Sequence, residues 1–87
     1  MQADSKQISI LLKTARGQID GVLKMVEEDR YCMDISNQIM AAEAILKKAN
    51  REVMKAHLRG CVKNAFESGS EDEKIEEIIS LFEKLTK

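Results

Sequence analysis

The sequence predicts an all-α fold of three helices, and two observations carry that prediction. Apolar residues recur at helical spacing along nearly the whole chain, and residues that end helices or favour strands are scarce. There is no Pro and no Trp, with two Phe and one Tyr in 87 residues. Ala, Leu, Ile, Met, Lys and Glu dominate, a mixture that favours helices and oligomeric helices in particular.

The first helix is marked by Ile8, Leu12, Ala15, Ile19, Val22 and Val26, which follow one another at intervals of 4, 3, 4, 3 and 4. That is a seam on a helix from about residue 5 to 28. Gly17 and Gly21 interrupt it at about 1 kcal/mol each relative to Ala. Four apart, they either admit a close neighbour or are simple blemishes. The polar Glu27-Glu28-Asp29-Arg30 run predicts a short connection ending near Cys32.

The second helix has the strongest pattern. Ile35, Ile39, Ala42, Leu46, Ala49 and Val53 repeat at the same intervals, and Met54, Leu58 and Val62 extend the apolar face past Gly60. One helix from about residue 33 to 66 is predicted. Ser68-Gly69-Ser70 ends it, and Ser70 three residues before Glu73 predicts a capping box for the third helix. Ile75, Ile78, Phe82 and Leu85 form that helix's apolar face.

A helix of about 34 residues is about 50 Å long. A chain this short holds one domain, residues 1–87, and buries only about 60% of its unfolded surface. Three helices cannot cover both faces of such a rod, so the seam predicts a homo-oligomer. No apolar run suits a signal segment or a membrane span, and a cytoplasmic protein with no membrane partner is expected. In that compartment two cysteines read as working thiols or small buried hydrophobes. Residues 1–66 carry eleven Lys/Arg against eight Asp/Glu, a balance of +3, and residues 67–87 carry three against seven, a balance of −4.

His57 and Cys61 are four apart and leave the same helix face. Taken alone, the pair is a lone histidine beside a buried cysteine. Cys32 changes the weighing. It starts the same helix, about 25 residues and roughly 37 Å before His57, so one chain cannot bring the three together. An antiparallel pair of chains can, because the midpoint falls near Ile45 and Leu46 within the seam. Two thiolates and one imidazole make a soft, three-coordinate set suited to Cu(I), whereas structural zinc generally takes four ligands. Two thiols also leave open a redox reading, in which one is oxidised and the other resolves.

At these residues the chain resembles the copper-sensing operon repressor (CsoR) family, over about Leu11 to Leu85. The carriers are Leu12-Lys13-Thr14-Ala15-Arg16-Gly17-Gln18, Glu28-Asp29-Arg30-Tyr31-Cys32, Gln38-Ile39, Ala49-Asn50-Arg51 and His57-Leu58-Arg59-Gly60-Cys61, with a Cys-x24-His-x3-Cys spacing. The resemblance implies a three-helix protomer, an antiparallel dimer and a tetramer built as a dimer of dimers. It implies a repressor that leaves its operator when Cu(I) binds, releasing copper-efflux genes. By position it makes Cys32, His57 and Cys61 metal ligands, and makes Tyr31 and Glu77 outer groups that link the filled site to the third helix. Nickel and cobalt sensors of the same superfamily use N-terminal histidines, absent here; persulfide sensors keep two cysteines but lack the histidine. A reactive-sulfur sensor using Cys32 and Cys61 is the alternative, and a copper chaperone a more distant one.

Lys47, Arg51, Lys55, Arg59 and Lys63 recur every four residues, with Lys48 alongside. Lys6, Lys13 and Lys24 share a face of the first helix, near Arg16. Such a stripe suits a phosphate backbone and also occurs as a plain solvated face. The resemblance favours double-stranded operator DNA, with Lys13, Arg16, Lys47, Lys48, Arg51 and Lys55 as the contacting set. Leu11 stands where the family often has an arginine implicated in operator binding, and Thr14 where many members are basic. One histidine, no Gly-rich phosphate loop and no Ser-His-acid set argue against an enzyme.

Overall fold

The computed structural model describes residues 1–69 and 71–86, without the side chains of residues 85 and 86. It contains α1 (Ser5–Glu27), α2 (Cys32–Ser68) and α3 (Glu71–Thr86), and no strand among the described residues. The all-α reading holds, with each boundary within a residue or two of the periodicity. Ser70, expected as the cap of the third helix, and the Leu85 side chain, expected on its apolar face, lie outside the described residues.

Local chemistry sets the ends. Asp4 caps α1 by accepting from the Lys6 N–H at 3.0 Å. At the other end Asp29 takes a positive φ of 54°. The Asp29 N–H then donates to the Val26 carbonyl at 3.1 Å and the Arg30 N–H to Met25 at 3.0 Å. That is a Schellman stop with aspartate in the position usually held by glycine, which is why the break carries no Gly or Pro. Helix α2 ends on Gly69, whose φ of 71° is left-handed and whose N–H reaches the Ala65 carbonyl at 2.8 Å. The reversal lets α3 fold back on α2.

Helix α2 packs against both other helices, while α1 and α3 do not touch one another among the described residues. Small residues line the α1–α2 contact: Ala15, Ala42 and Ala49 are buried, with Ile8 beside them. Leu11, Gln18, Val22 and Met25 are half-buried on the same face of α1, and the Gln18 Oε1 is buried without a partner among the described residues. The seam expected on α1 therefore divides. Its Ile8, Ala15 and Val22 face α2, whereas Leu12, Ile19 and Val26 stay 46%, 44% and 57% exposed. On α2, Ile39 and Leu46 are likewise 44% and 42% exposed. Ile19, Val22, Ile39, Ala42 and Leu46 line one apolar groove between the helices. A Cβ on Gly17 or Gly21 would meet nothing within 4 Å, so neither glycine serves packing inside the protomer.

The molecule measures 57 × 27 × 12 Å, and 12 Å is the thickness of one helix with its side chains. Its accessible surface is 6762 Å², against about 5,200 Å² for a compact protein of this mass. Its radius of gyration is 17.6 Å, against about 12 Å for a compact chain of this length. A single layer of helices has a face with nothing to cover it, which is the physical content of the predicted oligomer.

Ala15 is 1% exposed against α2, so Ala15→Leu must push the helices apart. It is expected to cost about 1–3 kcal/mol, read as a lower midpoint in chemical denaturation. An unchanged midpoint would show that the contact is looser than the structure has it.

Candidate metal centre

One turn of α2 carries His57 and Cys61, and the fold-back at Gly69 delivers Glu77 from α3. The Cys61 Sγ lies 3.1 Å from His57 Nε2, and Glu77 Oε1 lies 2.6 Å from the same nitrogen. Cys61 is also 3.7 Å from Glu77 Oε1. All three donor atoms lie within 4.8 Å of one another. Cys61 is buried, and His57 and Glu77 are half-buried. Lys74, one turn before Glu77 on α3, donates to Glu77 Oε2 at 3.2 Å.

The charges fit together. The hydrogen bond from His57, then that from Lys74, holds the Glu77 carboxyl below its ordinary range. The Lys74 ammonium is held above the usual lysine range, first by its hydrogen bond to Glu77 and then by the field of Cys61. Glu77 is therefore an ionised acceptor at neutral pH, and His57 Nε2 donates the hydrogen between them.

The same cluster superficially resembles a Cys-His-acid set. A nucleophilic relay needs the base to meet the thiol with one ring nitrogen and its orienting acid with the other. Here a single nitrogen, Nε2, meets both Cys61 and Glu77, so no relay is built. A metal fits better. Bonds of roughly 2.0 Å to nitrogen and 2.3 Å to sulfur allow one ion to span donors up to about 4.3 Å apart, and the Cys61–His57 approach of 3.1 Å falls inside that limit.

The model of the family described as metal-sensitive transcriptional repressor matches residues 4–84. The chain is 39% identical over 84 residues to the copper-sensing transcriptional repressor CsoR of Bacillus subtilis, covering 97% of this chain and 83% of that protein. It belongs to the CsoR-type family of metal-sensitive transcriptional repressors. A CsoR of Mycobacterium bovis is 43% identical over 68 residues, covering 78% of this chain; the match spans 57% of that relative's length. The crystal structure of the copper-sensing repressor CsoR with Cu(I) from Geobacillus thermodenitrificans is similar, with a TM-score of 0.83 and 35% identity, covering 94% of this chain and 85% of that one. The nickel-responsive regulator InrS shares the fold, with a TM-score of 0.86 at 24% identity over 98% of this chain and 96% of that one. A CsoR-type repressor acts in transcription and is not an enzyme, as the residues implied. No described helix is long and apolar enough to cross a membrane.

In the repressor protomer the expected site residues fall into two groups. His57, Cys61 and Glu77 come together. Tyr31 and Cys32 do not join them: both are exposed at the start of α2, about 37 Å along the rod from His57. Lys13, Arg16, Lys47, Lys48, Arg51 and Lys55 are all exposed, and only Lys55 among them has an ion pair within the described residues, to Glu52 at 3.9 Å. Sequence reasoning missed Lys74. Its spacing of three from Glu77 was the available signal.

Glu77 has a lowered folded value, so its contribution to stability is present above its ordinary value of 4.5. It is lost as pH falls through the lowered value. Acid unfolding of the metal-free repressor should therefore include a component below the ordinary carboxylate range that Glu77→Gln removes. Identical acid profiles for the two proteins would exclude the link.

Proposed function

We propose that this chain is a Cu(I)-responsive repressor that binds double-stranded operator DNA when metal-free and releases it when Cu(I) is bound, derepressing copper-efflux genes. The observation that carries this reading is the 3.1 Å approach of Cys61 Sγ to His57 Nε2, a soft sulfur–nitrogen pair already assembled in one chain. Cys32 is the third donor. The exposed Ile39 and Leu46 supply the face on which a second protomer packs antiparallel, about an axis near Leu46. That register brings Cys32 of one protomer beside His57 and Cys61 of its partner, twice per dimer. The curated relatives and the similar solved structure that carry copper-sensing names support the choice of ion.

Cys32, Cys61 and His57 would hold Cu(I), which would supply a soft positive charge once the two thiols had given up their protons. The chain's own residues then carry the signal. Glu77 belongs to α3 and accepts from Nε2 of the metal-free imidazole, a bond that ligation through the same nitrogen would break, so a change in the ring's engagement is felt by that helix. Tyr31 adjoins Cys32 on the other side of the site. Lys13 and Arg16 on α1, with Lys47, Lys48, Arg51 and Lys55 on α2, form the DNA surface. Association of dimers into a tetramer extends the same surface, and the 75% exposed Phe66 supports a further apolar contact near the α2–α3 end.

Mixing a Cys32→Ala chain with a Cys61→Ala chain tests the cross-protomer site. Each heterodimer regains one of its two donor sets, and because random exchange makes half of the dimers mixed, Cu(I) binding should reappear at about a quarter of the wild-type stoichiometry. A mixture that binds no better than either parent excludes the antiparallel arrangement. Reduced protein should hold operator DNA in a salt-dependent manner, and Lys47→Ala with Arg51→Ala should flatten the salt slope by about 1–2. One equivalent of Cu(I) per protomer should release the DNA. Release by inorganic polysulfide alone would overturn the copper reading.

A further inference from the structure

Neither the donor set nor the DNA surface uses Lys74, yet its ammonium is 3.2 Å from Oε2 of Glu77. The other oxygen of that carboxylate is the one on His57, 2.6 Å from Nε2. One carboxylate is thus divided between a cation on its own helix and an imidazole on α2. Lys74 and Glu77 lie three apart on α3, so their pairing needs nothing from α2.

An isolated pair of this kind on an open surface contributes little. This one is only about a third exposed, 32% for Lys74 and 36% for Glu77. Lys74 also lines the groove between α2 and α3, together with Val62, Ala65, Phe66, Ile75 and Ile78. A lysine stem laid along apolar surface holds its charged head in place. Glutamate rotates freely about its side-chain bonds, and ordering it costs conformational entropy. Lys74 restricts that freedom before His57 is met.

We propose that Lys74 is a positioning residue of the switch: its stem lies in the α2–α3 groove and its ammonium holds Oε2 of Glu77, so that Oε1 stays on His57 and α3 follows the state of the imidazole. This rests on the reading of His57 and Cys61 as the sensing pair, but it concerns coupling and not ligation.

Lys74→Met keeps the apolar stem and removes the charge, while Lys74→Arg restores the charge. Two measurements on the full chain decide the matter. In metal-free protein, the His57 Nε2–H resonance protected by the 2.6 Å bond should be visible in wild type and Lys74→Arg, and lost to exchange in Lys74→Met. In operator titrations, Lys74→Met should reduce the Cu(I)-driven drop in DNA affinity by about tenfold, leaving metal-free DNA affinity and Cu(I) affinity within about threefold of wild type. Lys74→Arg should restore the coupling. A protected resonance and full coupling in Lys74→Met overturn the proposal, as does an arginine variant as defective as the methionine one. Wild-type protein that keeps its operator in Cu(I) would sink the copper reading instead, and the imidazole resonance would still decide the role of Lys74.

Discussion

Every other feature of this protein depends on α2 being one unbroken rod from Cys32 to Ser68. Its continuity fixes two distances at once. It holds the first thiol far from the histidine and the second thiol, and it exposes a length of apolar face that α1 and α3 cannot cover. A second copy packed antiparallel, as proposed above, would answer both at once. A break in the middle of α2 would let one chain fold into a bundle, cover its own seam and bring its own thiols together. On the proposed arrangement, hydrophobic burial and soft-metal chemistry place the same requirement on the same helix.

The link between α2 and α3 is of another kind. The shared carboxylate of Glu77 joins the helices through directed hydrogen bonds, beside a modest apolar groove. Directed contacts between partly exposed groups are individually small. That scale suits the signalling role proposed for Glu77. A contact much stronger would lock α3 in place, and a purely apolar contact would not sense what happens at a ring nitrogen. The lowered carboxyl of Glu77 leaves the acceptor charged in the neutral range.

Much of this was legible in the sequence. The three helices followed from apolar spacing because nothing in the chain competes with that pattern. The His57–Cys61 pair followed from a separation of four on a helix. Other features were hidden for identifiable reasons. The inner row of α1 runs through Leu11, Gln18 and Met25 as well as Ile8, Ala15 and Val22, and the polar Gln18 disguised it. The apparent seam therefore merged residues that meet α2 with residues that await a second chain. The end of α1 was marked by the polar run at 27–30, but its left-handed turn was not, because Asp29 and not a glycine adopts it. The contact of Glu77 with His57 joins residues 20 apart in sequence, across a reversal whose angle no local pattern specifies. It was indicated by family resemblance; Lys74 was not, and its spacing of three from Glu77 was left unread.

Gly69 gives α3 a mechanical property. Glu77 lies eight residues beyond that left-handed glycine, about 12 Å along the helix, and Thr86 seventeen residues beyond it, about 25 Å. With no contact to α1 among the described residues, α3 has the form of a lever, with Gly69 as its fulcrum and the His57 contact near its midpoint. A displacement of about 1 Å at Glu77 becomes about 2 Å at the far end, and the helix carries its acidic side chains with it. If the proposed coupling holds, a rearrangement of atomic size at one imidazole would be enlarged into the movement of a charged surface.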